Sequence, residues 1–318
     1  MADLNLNQWL KQQEDDDASI AQWAEAFMWE KRAENVATGT IYFYRKKIDH
    51  FLSYCNDNDI QTMYEITPVV IRNYLIGLEE KGHTSGGVHC FYRVLRTFLY
   101  WWENETEPKD WKNPIRKVKA PRLAVEPLEP VPLEDVDKLI SACSGRTFSQ
   151  LRDRAIMLFL LDTGVRASEL CAIDLEDVEI KTGTVTIKRG KGRKPRAVFV
   201  SRKVRRALRA YVNKRASREE LRLDDALWVT KGGKRLTYWG LNEILRRRAK
   251  DARVQKPGAH DFRRAFAINF LRNGGDIYSL QNLMGHADLQ VLRRYLAQTY
   301  EDLQTAHNRY SPVENAKF

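Results

Sequence analysis

Five prolines, Pro114, Pro121, Pro127, Pro130 and Pro132, interrupt the stretch from Asn113 to Pro132. Each fixes its own φ and withholds an N–H, so neither a long helix nor a central strand can run through it. The chain must build separate bodies on either side, and 318 residues suffice for two, each with its own core. Charge divides at the same place. Residues 1–122 hold 16 Lys and Arg against 18 Asp and Glu, whereas residues 123–318 hold 37 against 24. The expected organisation is an extension over 1–18, a first domain over 19–112, a linker over 113–132 and a second domain over 133–318. The linker itself carries Arg116, Lys117, Lys119 and Arg122. A positive excess concentrated in one domain attracts polyanions, and nucleic acid is the commonest of these.

The first domain reads as a helical bundle. Val88, Phe91, Tyr92, Leu95, Phe98, Leu99 and Trp102 recur at spacings of three and four and form one apolar stripe. Further helices are expected over Ile20–Lys31, Thr40–Cys55 and Pro68–Glu80. His89, Arg93 and Arg96 lie off the stripe, where a solvated polar face and contact with phosphates are both open readings.

In the second domain helices are expected over Leu133–Ala142, Leu151–Leu161, Tyr238–Ala252, Phe262–Arg272, Ile277–Met284 and Asp288–Gln298. Thr163-Gly164 breaks the pattern just before Arg166, so a sharp turn presents that arginine. Thr184–Arg189 and Arg196–Val200 are β-prone and are joined by Gly190-Lys191-Gly192-Arg193-Lys194, which predicts a hairpin with a cationic tip. The fold class is therefore mainly α with a small β-sheet.

Cys55, Cys90, Cys143 and Cys171 lack both metal-ligand pairing and disulfide-framework spacing, and read as buried, reduced thiols. Residues 1–17 show no basic-then-apolar leader, and the run Ala155–Leu161 is too short to span a bilayer. A cytoplasmic protein without membrane contact is expected.

The chemistry lies in a scattered set. Arg166 and Arg263 can each present a permanently charged fork to phosphate oxygens. His260 and His286 can donate to the same oxygens or move a proton near neutral pH. The Tyr295 phenol is neutral at pH 7 and attacks only if it is deprotonated or held in a cationic pocket. A departing deoxyribose oxygen needs a proton, and Lys191 on the hairpin tip is the candidate donor, with Lys194 three residues away. Glu169, one helical turn from Arg166, is placed to hold the guanidinium. Tyr300 would point about 140° from Tyr295 on one helix, so both cannot face one phosphate.

Together these residues resemble the tyrosine recombinase, or phage integrase, family. Thr163-Gly164-Val165-Arg166-Ala167-Ser168-Glu169-Leu170 is similar to its first-arginine motif, and Gly190-Lys191-Gly192 to its catalytic-lysine hairpin. His260-Asp261-Phe262-Arg263 is similar to its His-x-x-Arg box and Leu283-Met284-Gly285-His286-Ala287-Asp288 to its Gly-His motif, with Tyr295 nine residues after His286. The likeness is strong over about 130–310 and weaker over the helical first domain. It implies a SAM-like core-binding domain followed by an α+β catalytic domain, with Arg166, Lys191, His260, Arg263, His286 and Tyr295 as catalytic residues. It implies cutting and rejoining of double-stranded DNA through a 3′-phosphotyrosine, without metal, ATP or other cofactor, in a homotetramer with a dimer on each site. His89, Arg93, Arg96, Arg193 and Lys194 are candidate DNA contacts. The chain has no G-x-x-x-x-G-K-[ST] loop and no spaced carboxylate cluster. A type IB topoisomerase-like strand cutter shares the chemistry, and a DNA-binding regulator with a decayed site shares the fold. Arg264 stands where many relatives carry histidine, which leaves the six positions untouched.

Overall fold

The computed structural model describes residues 18–123, 130–188, 195–218, 225–285, 304 and 307–314. The chain divides into two compact units, Met1–Glu126 and Pro127–Phe318.

The first unit is built from α1 (Ile20–Ala33), α2 (Thr38–Asp57), α3 (Pro68–Glu80) and α4 (Ser85–Thr106). Local chemistry sets the starts. Ser19 and Gln22 form a reciprocal capping box on α1, Thr67 accepts from the Val70 N–H ahead of α3 with Pro68 at its first position, and Thr84 caps α4. All seven residues of the expected stripe on α4 are buried. They meet Trp23, Phe27 and Met28 of α1 and Phe51 of α2 in one core. Aromatic edges meet aromatic faces there: Trp23 and Trp102 lie 6.2 Å apart and nearly perpendicular, and Phe27 and Phe98 lie 5.4 Å apart.

The start of the expected linker is folded onto this unit. Pro114–Lys117 forms a 3-10 turn whose Ile115, with Val118 after it, enters the core. Asn113 accepts from the Ile115 N–H at 3.2 Å and donates to Glu103 at 3.0 Å, while the Tyr92 hydroxyl donates to the Val118 carbonyl at 3.1 Å. Proline spacing marks where regular structure stops, but two apolar side chains among the cations suffice to dock the segment. His89 is part of the same fastening, with Nδ1 3.0 Å from the Pro121 carbonyl oxygen. Arg93 and Arg96 are exposed, and Arg96 lies over the Tyr100 ring.

The second unit contains α5 (Leu133–Ser141), α6 (Phe148–Thr163), α7 (Ala167–Ala172), strands β1 (Val178–Glu179), β2 (Thr184–Ile187) and β3 (Arg196–Phe199), then α8 (Arg202–Ala216), α9 (Tyr238–Ala252), α10 (Ala259–Arg272) and α11 (Ile277–Met284). The sheet is antiparallel in the order β1-β2-β3, with Thr184 opposite Phe199 and Ile187 opposite Arg196. Thus the expected hairpin forms, and its tip, with Lys191, Arg193 and Lys194, lies outside the described residues. So do the helix expected over Asp288–Gln298, His286, Tyr295 and Tyr300. Among the described residues no helix is long and apolar enough to cross a membrane.

Helix α6 is the axis of this unit. It is buried on several faces and packs against α8 and α10. Its charged buried residues are matched: the fully buried Asp153 accepts from Arg152 at 2.7 and 2.9 Å, from Arg248 at 2.8 and 3.0 Å and from Arg247 at 2.9 Å, which ties α6 to α9. Helix α8 is absent from the sequence reading. Its buried Val204, Leu208 and Tyr211 are spaced as a helix face, but Arg202, Lys203, Arg205, Arg206, Arg209 and Lys214 surround them and dilute the stripe. Two starts also shift. Thr147 caps α6 at Phe148, and Asp261 accepts from the Gly258 N–H at 2.7 Å, so α10 begins before His260 rather than after it.

Helix α6 stops at Gly164, whose φ of 59° is left-handed, and its N–H closes on the Leu160 carbonyl at 3.0 Å. A Cβ there would come 2.4 Å from Phe266 Cδ1 on α10. Gly164→Ala therefore combines a disfavoured φ with a clash, and is expected to cost about 2–4 kcal/mol in urea unfolding. A loss below about 0.5 kcal/mol would show that neither constraint holds.

Candidate active site

Arg166 follows the Gly164 turn as the residue that opens α7, in extended conformation. No side chain of its own caps the helix. Instead Glu169 reaches back, accepting the Arg166 backbone N–H on Oε2 at 2.8 Å and the Arg166 guanidinium Nη1 on Oε1 at 2.9 Å. This is the clasp expected from their spacing, and it leaves the Arg166 side chain 33% exposed.

Glu169 has a second partner that the sequence reading missed. Arg196, at the start of β3, forks across the same carboxylate, Nη1 to Oε1 at 2.9 Å and Nη2 to Oε2 at 2.8 Å, and its Nε donates to the Leu283 carbonyl at 3.0 Å. As part of a β-prone run after a cationic tip, Arg196 carried no signal of its own beyond a charge at a strand end. The Glu169 side chain is 1% exposed. Burial alone would raise its carboxyl, but the Arg196 fork, the Arg166 N–H and the two guanidinium charges outweigh it and bring it down to about 2.

Arg263 sits on α10, one turn after His260, and is 2% exposed. Nη1 donates to the Gly164 carbonyl and Nη2 to the Met284 carbonyl at 2.9 Å. It thus joins the C-terminal ends of α6 and α11, where unsatisfied carbonyls and the negative end of the helix dipole favour a cation. The sequence reading put this arginine on a phosphate; here those two nitrogens bind main-chain oxygens. Helix α11 ends in Gly285, φ 60°, where a Cβ would lie 3.1 Å from the Arg196 side chain.

His260 is exposed on the first turn of α10. Its imidazolium is disfavoured, first by partial desolvation and then by the positive charges of Arg264, Arg263 and Arg166, which exceed the opposing pull of Asp261. The neutral ring, which can accept a proton, is therefore favoured. The structure thus brings Arg166, Glu169, His260 and Arg263 together, adds Arg196, and ends its description of this face at Gly285, one residue before His286.

The Glu169 carboxyl ionises more easily folded than unfolded. Its stabilisation is full above the ordinary value of 4.5 and is lost as pH falls toward about 2. Glu169→Gln should therefore cost about 3 kcal/mol at pH 7 and progressively less toward pH 2, read from urea unfolding. A cost independent of pH over that range would show that the charge of Glu169 is not what holds the cluster.

Residues 131–302 match the Phage integrase family. The chain is 29% identical over 279 residues to tyrosine recombinase XerC of Thermodesulfovibrio yellowstonii, covering 86% of this chain and 90% of that one. It is 34% identical over 205 residues to tyrosine recombinase XerC of Myxococcus xanthus, covering 63% and 68%. In fold it is similar to the XerH site-specific recombinase bound to palindromic difH substrate, with TM-score 0.70, 22% identity and coverage of 93% and 85%. It is also similar to a lambda integrase dimer bound to a core site, with TM-score 0.67, 15% identity and coverage of 85% and 96%. With more than half its length matched, the chain belongs to the phage integrase family and is a tyrosine site-specific recombinase.

Proposed function

We propose that this recombinase cuts and rejoins double-stranded DNA at a specific site through a covalent 3′-phosphotyrosine on Tyr295. The observation that carries the reading is the clasped, one-third exposed guanidinium of Arg166, with the buried Arg263 on the carbonyl of the turn before it and with His260, whose neutral form is favoured, within reach of both charges. That arrangement offers a phosphate both positive charge and a proton acceptor. The Tyr295 oxygen attacks phosphorus, His260 takes the phenol proton, and the 5′-oxygen leaves with a proton from Lys191. Arg166 donates to the non-bridging oxygens as their charge grows, a role that needs donors already in place. Arg263 fixes the turn that presents Arg166 and adds its charge to the field. His286 donates to the same phosphate. One phosphoester is exchanged for another, so bond energy is conserved and religation is the same reaction reversed.

Two further assignments follow. The exposed Arg93 and Arg96 of α4 and the hairpin residues Arg193 and Lys194 contact DNA phosphates, whereas His89 serves its own unit through Pro121. The working assembly is a tetramer, two protomers on each site, because a recombinase must hold four strands while they exchange.

The chain should first select its own site from a pool of random duplexes. On a nicked duplex bearing that site, the wild type should form an SDS-resistant adduct and Tyr295→Phe none. An adduct of wild-type yield from the variant removes Tyr295 as nucleophile. Arg166→Ala should slow adduct formation by about two orders of magnitude; a near-normal rate removes Arg166 from the phosphate. Because the imidazolium of His260 is disfavoured, the acid limb of the cleavage profile should lie below the ordinary histidine value of 6.5. A limb at or above 6.5 that persists in His260→Gln assigns the base to another group.

A further inference from the structure

Glu169 is an unusual neighbour for an arginine that must bind phosphate. A carboxylate and a guanidinium prefer the two-pronged parallel pairing, which would use the edge Arg166 needs and cancel its charge. In this site the pairing is taken by a different arginine. Arg196 meets both oxygens of Glu169, at 2.9 and 2.8 Å, whereas the Arg166 side chain touches only Oε1, and the remaining place on Oε2 goes to the Arg166 backbone N–H. With four donors on two oxygens, the carboxylate is saturated. The Arg196 side chain is 15% exposed and its third nitrogen is committed to the Leu283 carbonyl, so it faces inward.

We propose that Arg196 is a positioning residue that occupies and neutralises Glu169, so that Arg166 keeps a charged edge for the scissile phosphate. Two guanidinium groups on one carboxylate leave a net positive charge at the turn; a single guanidinium would leave none. The Arg196 Nε bond to Leu283 carries the same arginine to the end of α11, and the bare Cα of Gly285 lets it lie there. One side chain thereby sets the charge of Arg166 and anchors the residues just before His286. The inference rests on the proposed role of Arg166 at the phosphate.

The distinguishing prediction concerns sign. If Arg196 works by occupying Glu169, then removing the charge of Glu169 should relieve the loss of Arg196. Cleavage of the selected nicked duplex at saturating protein should fall at least about 30-fold in Arg196→Ala, with duplex affinity within about 3-fold of wild type. The double variant Arg196→Ala with Glu169→Gln should recover at least about tenfold of that loss. Rates are compared well below each variant's melting temperature, so that recovered folding cannot pass for recovered chemistry. A double variant no faster than Arg196→Ala overturns the proposal, as does a single variant within about 3-fold of wild type. Should Arg196→Ala not fold, Arg196→Lys, which keeps the charge, should cleave at least about tenfold faster than Arg196→Gln, which does not; equal rates overturn the proposal. Absence of an adduct from the wild-type chain overturns the DNA-cutting reading itself, and this inference with it.

Discussion

The carboxylate of Glu169, buried at the junction of α7, β3 and the end of α11, is the interaction on which the rest of the site depends. Its two oxygens accept four hydrogen bonds, from the main chain and side chain of Arg166 and from two nitrogens of Arg196. A carboxylate out of water is tolerated only with such saturation, and removal of one partner leaves a charge that burial penalises. Because Arg196 also holds Leu283, the carboxylate fixes the opening of α7 against the close of α11 through a single intervening side chain. Neither distance can change alone.

The surrounding architecture supplies helix ends. Helices α6 and α11 both stop at left-handed glycines, Gly164 and Gly285, and so end abruptly with carbonyls still unpaired. Those carbonyls recruit Arg263 and Arg196, which are cations at the negative ends of two helix dipoles. The positive field of the site is thus assembled partly from residues whose nitrogens are engaged by the fold. Arg166 is the arginine of this group left one-third exposed. Arginines that look alike in a sequence thus differ in how far the fold engages them.

That likeness explains what was and was not legible. Helices with a polar cap and an undiluted apolar stripe, such as α3 behind Thr67 and α9 behind Thr237, could be bounded to the residue. The clasp of Glu169 on Arg166 followed from helical spacing, because it is local. The pairings of Arg196 with Glu169 and of Asp153 with Arg248 did not follow, because they span 27 and 95 residues and no periodicity encodes such contacts. Helix α8 escaped because its cations outnumber its apolar face, and β1 because two residues are too few to alternate. The segment after Asn113 shows how composition can hide burial. Its prolines were real breaks, yet Ile115 and Val118 bury like core residues and the chain stays docked.

The charge excess also takes on a different meaning. A formal surplus in the second part of the chain suggested attraction to a polyanion, but Arg152, Arg215, Arg248 and Arg263 are all at most 7% exposed. Arg152 and Arg248 neutralise Asp153, and Arg263 serves carbonyls. Burying a guanidinium removes much of its long-range reach only when a counter-charge accompanies it, as around Asp153. Around Gly164 and Met284 the partners of two Arg263 nitrogens are dipoles, which hold a cation without bringing a full counter-charge of their own. A phosphate site of the kind proposed would gain from that difference. Pairing arginine with carbonyls keeps its charge in play, and pairing it with carboxylate does so only where a second arginine shares the carboxylate.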